Sequence, residues 1–142
     1  MTDLADLYQA VILDHNRAPR NFRRIEPPRS RALAHNPVCG DTVEIFLRVA
    51  DGRVKDLAFL GDSCAVATAS ASLLTELLKG RSTDTVRTIC RQFEAVLSGD
   101  AEARILPESL QPMARVLHFP GRVQCARLAV QAVDQALHAS RL

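Results

Sequence analysis

The stretch from Thr42 to Leu60 constrains the fold most, because its side chains alternate on both sides of a tight-turn signal. On one side of the first run lie Val43, Ile45, Leu47 and Val49, and on the other Glu44 and Arg48. A period of two is the spacing of a half-buried β-strand. Asp51-Gly52 follows, a dipeptide typical of hairpin turns, and a second apolar run extends from Val54 to Leu60. The sequence therefore predicts a β-hairpin, joined by a third strand near Ser30 to Ala34.

The rest of the chain has mainly helical spacing. Leu4, Leu7, Tyr8, Val11 and Ile12 predict an amphipathic first helix that ends near Asn16 to Pro19, before a loop through about Pro28. Further helices are predicted from Cys64 to Lys79, from Ser82 or Thr83 to Leu97, and from about Val123 to Leu137, with short pieces between Ala101 and Phe119. The predicted class is α+β: a small antiparallel three-stranded sheet packed with the first helix and a C-terminal helical layer.

Composition excludes several classes of protein. A chain of 142 residues forms one hydrophobic core, so residues 1–142 are predicted to be a single domain. No apolar run approaches the roughly 20 residues of a membrane span, and acidic residues interrupt the N-terminus where a signal peptide would be apolar, so we expect a cytoplasmic protein without membrane contact. The formal net charge of +2 excludes a general affinity for polyanions. In a reducing compartment, four cysteines favour metal binding, catalysis or burial over disulfides.

Three cysteines lie at predicted junctions between elements. Cys39 precedes the hairpin, Cys64 lies between strand and helix, and Cys125 lies at the start of the last helix. For Cys64 and Cys125, a place in the first helical turn predicts a lowered thiol pKa. Only Gly40 separates Cys39 from Asp41, so in an extended chain the thiol and the carboxylate point to the same side and can act as one bidentate unit.

The residues alone leave three interpretations of this set open. Three thiolates and one carboxylate can fill a tetrahedral Zn²⁺ site, and the same set can hold iron and sulfide. Isolated cysteines without a C-x-x-C pair are also common as small core residues. The fourth cysteine, Cys90, lies on the apolar stripe of its helix and is predicted to be core.

Short motifs along most of the chain resemble the U-type iron–sulfur cluster assembly proteins. They are Leu7-Tyr8, Asp14-His15, Pro19-Arg20-Asn21, Asn36-Pro37-Val38-Cys39-Gly40-Asp41, Gly61-Asp62-Ser63-Cys64, Ala69-Ser70-Ala71-Ser72, Thr75-Glu76 and Phe119-Pro120-Gly121-Arg122-Val123-Gln124-Cys125-Ala126. The resemblance implies a SufE/NifU-like fold and a metal site formed by Cys39, Asp41, Cys64 and Cys125. Cys90 matches none of these motifs.

Two departures place the chain within that family. Gln124 stands where classical scaffolds have a histidine, and the segment between Gly80 and Phe119 is about twenty residues longer than theirs, as in the SufU branch. Resemblance to that branch implies a bound zinc ion and sulfur received from a SufS-like cysteine desulfurase, ahead of downstream Suf assembly proteins. Cys39 would become the sulfur acceptor when a partner side chain takes its place on the metal. Arg122, three residues before Cys125, is expected to stabilise a thiolate or to bind the partner.

Other functions remain as alternatives. The chain can instead be a scaffold that holds a transient iron–sulfur cluster, and a remoter alternative is a nucleic-acid-binding module with a structural zinc. The basic run of Arg17, Arg20, Arg23, Arg24, Arg29 and Arg31 suggests the latter, but it lacks aromatic interleaving beyond Phe22 and is interpreted as solvated or partner-docking. His15 and His35 are interpreted as isolated surface histidines rather than ligands. The serines and threonines from Ser63 to Ser72 lack a His/Asp partner motif and are interpreted as helix-packing residues.

Overall fold

The sheet has three antiparallel strands in the order of the sequence. A computed structural model describes the backbone of residues 4–141 and the side chains of residues 10–141. The strands are β1 (Ser30–His35), β2 (Thr42–Ala50) and β3 (Arg53–Asp62). Ala50 pairs with Arg53, so Asp51-Gly52 forms the turn, and both turn residues have positive φ, as a tight hairpin requires. The predicted hairpin and third strand are confirmed, and so is the α+β class.

One face of the sheet supplies the core. The alternating residues of β2 and their partners on β3 are at most 1% exposed; they are Val43, Ile45, Leu47, Leu57 and Phe59. They form one apolar cluster with residues of all four α-helices, including Ile12, Leu74, Phe93 and Val133. The alternation read from the sequence therefore identifies the buried face correctly.

Four α-helices of residues 4–141 lie on this side of the sheet, and two of them pack directly on it. They are α1 (Leu4–Arg17), α2 (Ala65–Leu78), α3 (Thr83–Leu97) and α4 (Pro120–Ala139). The central pair is α2 and α4, with α1 against α2, α3 against α4, and α4 also against β1 and β2. The apolar face predicted for α1 is supported at Val11 and Ile12, whereas the side chains of Leu4, Leu7 and Tyr8 lie outside the described residues. Among residues 4–141, no helix combines the length and the hydropathy of a membrane span.

The predicted short pieces between α3 and α4 are two 3₁₀ segments, Ala103–Ile105 and Glu108–His118. The longer segment contains Pro112, which lacks the N–H that a continuous helix needs. It still contributes Leu110, Met113 and Val116 to the core. Helix α4 then begins at Pro120, three residues before the predicted start, because proline at the first helical position loses no hydrogen bond.

The interpretation of His15 as a surface residue is wrong. This side chain is 6% exposed, and its Nδ1 lies 2.7 Å from the Ser72 hydroxyl oxygen on α2. The same oxygen accepts a 2.9 Å hydrogen bond from the Arg20 backbone N–H. Burial lowers the pKa of His15, so the imidazole is more readily neutral. His15 and Ser72 therefore fix the end of α1 against α2.

The loop between α1 and β1 packs on the sheet rather than extending into solvent. Along the outer edge of β3, the Arg23 N–H donates to the Phe59 carbonyl at 3.1 Å and the Phe59 N–H donates to the Asn21 carbonyl at 3.0 Å. The Phe22 and Phe59 rings meet edge to face at 5.2 Å. Within the basic run, Arg20 pairs with Asp14, Arg23 with Asp56 and Arg31 with Glu44. These three arginine side chains remain 34%, 43% and 55% exposed, so their ion pairs are compatible with the interpretation of the run as solvated or partner-docking.

Candidate metal centre

Three parts of the chain meet at one end of the sheet. They are the loop from Asn36 to Asp41 that joins β1 to β2, the junction where β3 ends at Asp62 and α2 begins, and the start of α4. Thr42, the first residue of β2, pairs with Asp62. The β3 strand therefore delivers Cys64 next to the loop that carries Cys39 and Asp41.

The β1–β2 loop is closed by its own hydrogen bonds. The Asn36 N–H donates to the Asp41 carbonyl at 2.9 Å, and the Gly40 N–H donates to the Asn36 carbonyl at 2.8 Å. The Val38 N–H donates to Asn36 Oδ1 at 3.0 Å. Gly40 has φ +79°, a conformation that glycine adopts without the steric cost of a Cβ. The turn at Gly40 brings Cys39 and Asp41 to the same side of the loop.

Three of the four predicted ligands come together directly. One ligand atom each from Cys39, Asp41 and Cys125 lies within 4.8 Å of the other two. Cys39 is exposed, whereas Cys125 is 3% and Asp41 8% exposed. The group has one accessible thiol above two buried donors.

Asp41 has one carboxylate oxygen in use and one available. Its Oδ1 accepts a 3.2 Å hydrogen bond from the Cys64 backbone N–H. Its Oδ2 is buried and has no hydrogen-bond partner within the described part of the chain. A buried carboxylate oxygen without a donor is costly unless a cation or a proton satisfies it. The position of Oδ2 beside two thiols therefore suits a metal ligand.

The Cys64 thiol lies beside this group rather than within its 4.8 Å limit. Cys64 is the N-cap residue of α2 and is half-buried. Negative charge on Cys64 raises the pKa of the exposed Arg122 guanidinium, and negative charge on Cys125 acts in the same direction. Arg122 is therefore a cation near two of the candidate ligands.

The prediction of a lowered pKa at Cys125 is wrong for the thiol in the protein without a bound metal ion. Because α4 begins at Pro120, Cys125 lies in the second helical turn and not in the first. Burial, then the neighbouring Cys64 thiol and the charges of Asp41 and Cys39, together raise its pKa to about 12. A divalent cation reverses this balance by favouring the thiolate.

The donor set fits a metal ion. Three sulfur atoms and one oxygen match the ligands that zinc takes in closed tetrahedral sites, and thiolates equally suit iron–sulfur clusters. Asp41 Oδ2 is buried and has no hydrogen-bond donor among residues 10–141. This unpaired oxygen is the structural reason to include the Asp41 carboxylate in the donor set.

The remaining candidates lie away from this group. Cys90 is 2% exposed in the core, and burial raises its pKa to about 12, as expected of an inert thiol. His35 is exposed at the end of β1. Sequence reasoning gave no role to Asn36, although an asparagine before a proline is a turn signal, and the structure shows that it closes the ligand loop.

A family comparison agrees with the motifs. Residues 7–140 match the NifU-like N-terminal domain. The chain belongs to this family. The "Iron-sulfur cluster assembly scaffold protein IscU" of Streptococcus pyogenes serotype M1 is 29% identical over 142 residues, covering 99% of this chain and 88% of that protein. The "Zinc-dependent sulfurtransferase SufU" of Bacillus subtilis is 29% identical over 136 residues, covering 95% of this chain and 92% of that protein.

Solved structures agree with the fold. The N-terminal part of a nitrogen-fixing NifU-like protein from Brucella abortus superposes with a TM-score of 0.84 over 96% of both chains, at 23% identity. A hypothetical protein superposes with a TM-score of 0.83 over 93% of this chain and 97% of its own, at 28% identity. The first of these supports the fold alone.

Proposed function

We propose that this NifU-like domain accepts sulfur from a cysteine desulfurase during iron–sulfur cluster assembly, with Cys39 as the acceptor. The observation that carries the proposal is the asymmetry of the candidate centre. Cys39 is the exposed member of a group whose other donors, Asp41 and Cys125, are buried. Among the four cysteines, all within the described residues, Cys39 is thus the thiol that a partner protein reaches most easily.

Cys39, Asp41, Cys64 and Cys125 would hold a zinc ion. When bound, zinc would keep the sulfur ligands deprotonated without oxidising them, because it has no redox chemistry of its own. Asp41 Oδ2 and the thiols contribute the donor atoms, and the Cys64 N–H keeps the carboxylate in place through Oδ1. The similarity to a relative named a zinc-dependent sulfurtransferase supports this proposal.

The transfer step conserves atoms and electrons. The Cys39 thiolate attacks the outer sulfur of a persulfide on the desulfurase, and a new S–S bond forms at Cys39 Sγ. The S–S bond to the desulfurase cysteine breaks, and that cysteine leaves as a thiolate with the electron pair. The persulfide itself is the oxidised species, so no other oxidant takes part. The loop carrying Cys39 is on the surface, where this approach is open.

Arg122 would stabilise negative charge on Cys64 and Cys125, the two thiols that would stay in place while Cys39 reacts. The raised pKa of its exposed guanidinium, caused by charge on these two thiols, supports this role. Arg122→Gln should therefore reduce sulfur transfer and speed zinc loss, while Arg122→Lys, which keeps the charge, should restore much of both. Equal loss in both variants would favour a specific guanidinium contact with the partner instead.

The alternative function is a scaffold on which a cluster is built and passed to downstream assembly proteins. It is supported by the similarity to a relative named as a cluster assembly scaffold, and by a donor set that suits iron as well as zinc. In that case the cluster is cargo and Cys39 is one of its ligands. The two functions differ in whether the isolated protein retains zinc or an iron–sulfur cluster, and in whether it stimulates the desulfurase.

The test is to locate the transferred sulfur. The zinc-loaded chain is incubated with a SufS-like cysteine desulfurase and cysteine, and peptide mass spectrometry then maps the persulfide. We expect it on Cys39, with loss of labelling in Cys39→Ser and unchanged labelling in the matched control Cys90→Ser. Persulfide confined to Cys125 would overturn the assignment of the acceptor.

Asp41→Ala separates the two functions. A carboxylate oxygen is a harder and more exchangeable ligand than a thiolate. If the protein is a sulfur acceptor, this change should weaken zinc retention and lower desulfurase stimulation, measured as metal content and alanine production. If it is a scaffold, the same change should prolong the visible absorbance of a reconstituted cluster. Wild-type protein that donates a cluster readily and gives no stimulation when zinc-loaded would refute the acceptor function.

A further inference from the structure

The outer edge of β1 is an unpaired strand edge that ends beside the candidate metal centre. β1 is the first strand in the sheet order β1-β2-β3, and its backbone pairs with β2 on one side. Within residues 4–141, no isolated bridge, loop or helix end forms a backbone hydrogen bond with its other side. We propose that this edge binds an extended, acidic segment of a partner protein, which adds a fourth strand to the sheet.

The chain closes the opposite edge of the sheet, along β3, with its own backbone. At one point the Phe59 N–H donates to the Asn21 carbonyl at 3.0 Å. At another, the Val54 N–H donates to the Arg81 carbonyl at 2.9 Å, and the Val54 carbonyl accepts from the Gly80 N–H at 2.7 Å. β1 has no such cover within the described residues, so every second residue of β1 presents its N–H and C=O groups outward.

β1 lacks most of the features that keep an edge strand from pairing. Natural edges are blocked by proline, lysine, bulges or a covering segment. Ser30–His35 contains no proline or lysine, and its register with β2 is uninterrupted. The charge of Arg31 is paired with Glu44 at 2.7 Å. In the middle of the strand, Leu33 is 55% exposed, and Ala32 is partly exposed although it packs against the core. An added strand would cover both side chains.

The charge beside β1 favours an acidic segment. On the outer face of the sheet, Arg31 lies opposite Phe46, and the guanidinium groups of Arg24 and Arg29 lie 5.9 and 5.4 Å from the centre of that ring. Arg31 has Glu44 as its partner, whereas Arg24 and Arg29 form no ion pair within residues 10–141. This corner of the sheet is therefore positively charged. Opposite charges on neighbouring strands stabilise their pairing.

The register of β1 sets the side-chain pattern of the segment. Arg31, Leu33 and His35 point to the outer face of the sheet. Ala32 and Ala34 point to the core face. An antiparallel segment would therefore carry a carboxylate opposite Arg31 and an apolar side chain opposite Leu33, with apolar side chains between them. A second copy of this chain fits less well, because two-fold pairing centred on Leu33 sets Arg31 opposite His35 and supplies no carboxylate.

The edge leads directly to the loop that carries Cys39. β1 ends at His35, and the Asn36 N–H then donates to the Asp41 carbonyl at 2.9 Å, which extends the pairing with β2 into the loop. A partner held along β1 would thus lie beside the exposed Cys39 thiol. The proposal depends on the edge alone and holds whether Cys39 accepts sulfur or binds a cluster.

The test is an NMR titration of the isotope-labelled full chain with the synthetic peptide Thr-Val-Leu-Val-Glu-Val-Glu, acetylated and amidated at its ends. Paired antiparallel with β1, this peptide places its leucine opposite Leu33 and a glutamate opposite Arg31. We expect saturable shifts at the amides of residues 30–35 and slower hydrogen exchange at every second one of them. The matched peptide with lysine in place of both glutamates should bind about fivefold more weakly or worse.

Two further peptides separate strand pairing from charge attraction. Each carries N-methyl groups on alternate backbone nitrogens, so that one blocks the N–H groups aimed at β1 and the other blocks those aimed away. The first should lose binding and the second should keep it, because in an antiparallel pair only every second N–H donates to the neighbouring strand. Equal binding of the two peptides would refute strand addition.

Leu33→Glu tests the edge from the side of the protein. Because Leu33 is exposed, the variant should fold, and its carboxylate should repel the peptide glutamates and weaken binding about fivefold or more. Leu13→Glu is the matched control, since it changes a leucine on α1 that is 51% exposed, and it should alter affinity by no more than about twofold. Absence of saturable binding, or shifts centred on residues 21–23, would overturn the proposal. So would a dimer of the peptide-free chain that Leu33→Glu dissociates, because a second copy would then occupy the edge.

Discussion

Ser70→Ala tests whether a buried hydroxyl fixes the position of Cys125. Ser70 on α2 is 0% exposed, and its hydroxyl donates a 2.8 Å hydrogen bond to the Ala126 carbonyl on α4. Ala126 directly follows Cys125, so this bond joins the helix of Cys64 to the helix of Cys125. The variant removes the bond without adding bulk.

The expected loss in free energy of unfolding depends on the hydrogen bonds that the Ala126 carbonyl keeps in the variant. Within α4, the Ala126 carbonyl still has the helical N–H four residues on, so removing the hydroxyl leaves no orphaned group on the other side. The loss is then one neutral hydrogen bond, about 0.5–1.5 kcal/mol. For a chain of 142 residues, a loss of about 1 kcal/mol lowers Tm by roughly 3–5 °C. The freed start of α4 should also release zinc to a chelator severalfold faster.

Ser72→Ala provides the control, because it removes a buried hydroxyl from the other side of α2. That hydroxyl contacts His15 Nδ1 and the Arg20 N–H, at the end of α1. Ser72→Ala therefore leaves buried groups unpaired and should lower the free energy of unfolding by about 1–3 kcal/mol, at least as much as Ser70→Ala. Thermal unfolding and chelator-driven zinc release are measured for both variants. An unchanged Tm in Ser70→Ala, or equally fast zinc release in Ser72→Ala, would show that the Ser70 hydroxyl does not position Cys125.

Three further outcomes are expected. Gly61→Ala should lower both stability and metal content, because its Cβ would collide with the Thr42 backbone carbonyl beside the ligand loop, and an unchanged metal content would contradict this. Cys90→Ala should cost on the order of 1 kcal/mol in urea unfolding and leave metal content intact, whereas metal loss would make Cys90 a ligand. Hydrogen bonds from Arg23 and, to a smaller extent, Lys79 lower the pKa of Asp56 from 3.8 to about 2, so the free energy of unfolding of wild type should exceed that of Asp56→Asn by about 1 kcal/mol at pH 7 after allowance for solvent screening. That advantage is lost as pH falls from about 4 to 2, and an advantage that is independent of pH would contradict the assignment.

Local patterns predicted the elements that are defined by their own residues. The alternation in β2, the Asp51-Gly52 turn and the Ser82 cap of α3 depend on spacing within a few residues, and each was located correctly. The motif positions of Cys39, Asp41 and Cys125 likewise predicted residues that meet in space.

Errors occurred where distant segments decide the environment. His15 looks isolated in sequence, but α2 supplies Ser72 to its buried ring. The Cys125 pKa is set by burial and by residues of two other segments, and these outweigh the helix dipole. The arginines from Arg17 to Arg31 form a charge run in the sequence, but their acidic and aromatic partners come from α1, β2 and β3. No local period encodes such partners.

Because the candidate ligands come from distant segments, formation of the complete centre reports a late step of folding. Cys39 and Asp41 come from the β1–β2 loop, Cys64 from the cap of α2, and Cys125 from the second turn of α4. Contacts between residues so far apart in sequence form late, after the loop-closure entropy has been paid. If the centre binds zinc as proposed, high-affinity zinc uptake cannot precede the docking of α4 on α2 and the sheet. A stopped-flow refolding experiment with a fluorescent zinc indicator would therefore time that docking step separately from the earlier formation of the hairpin.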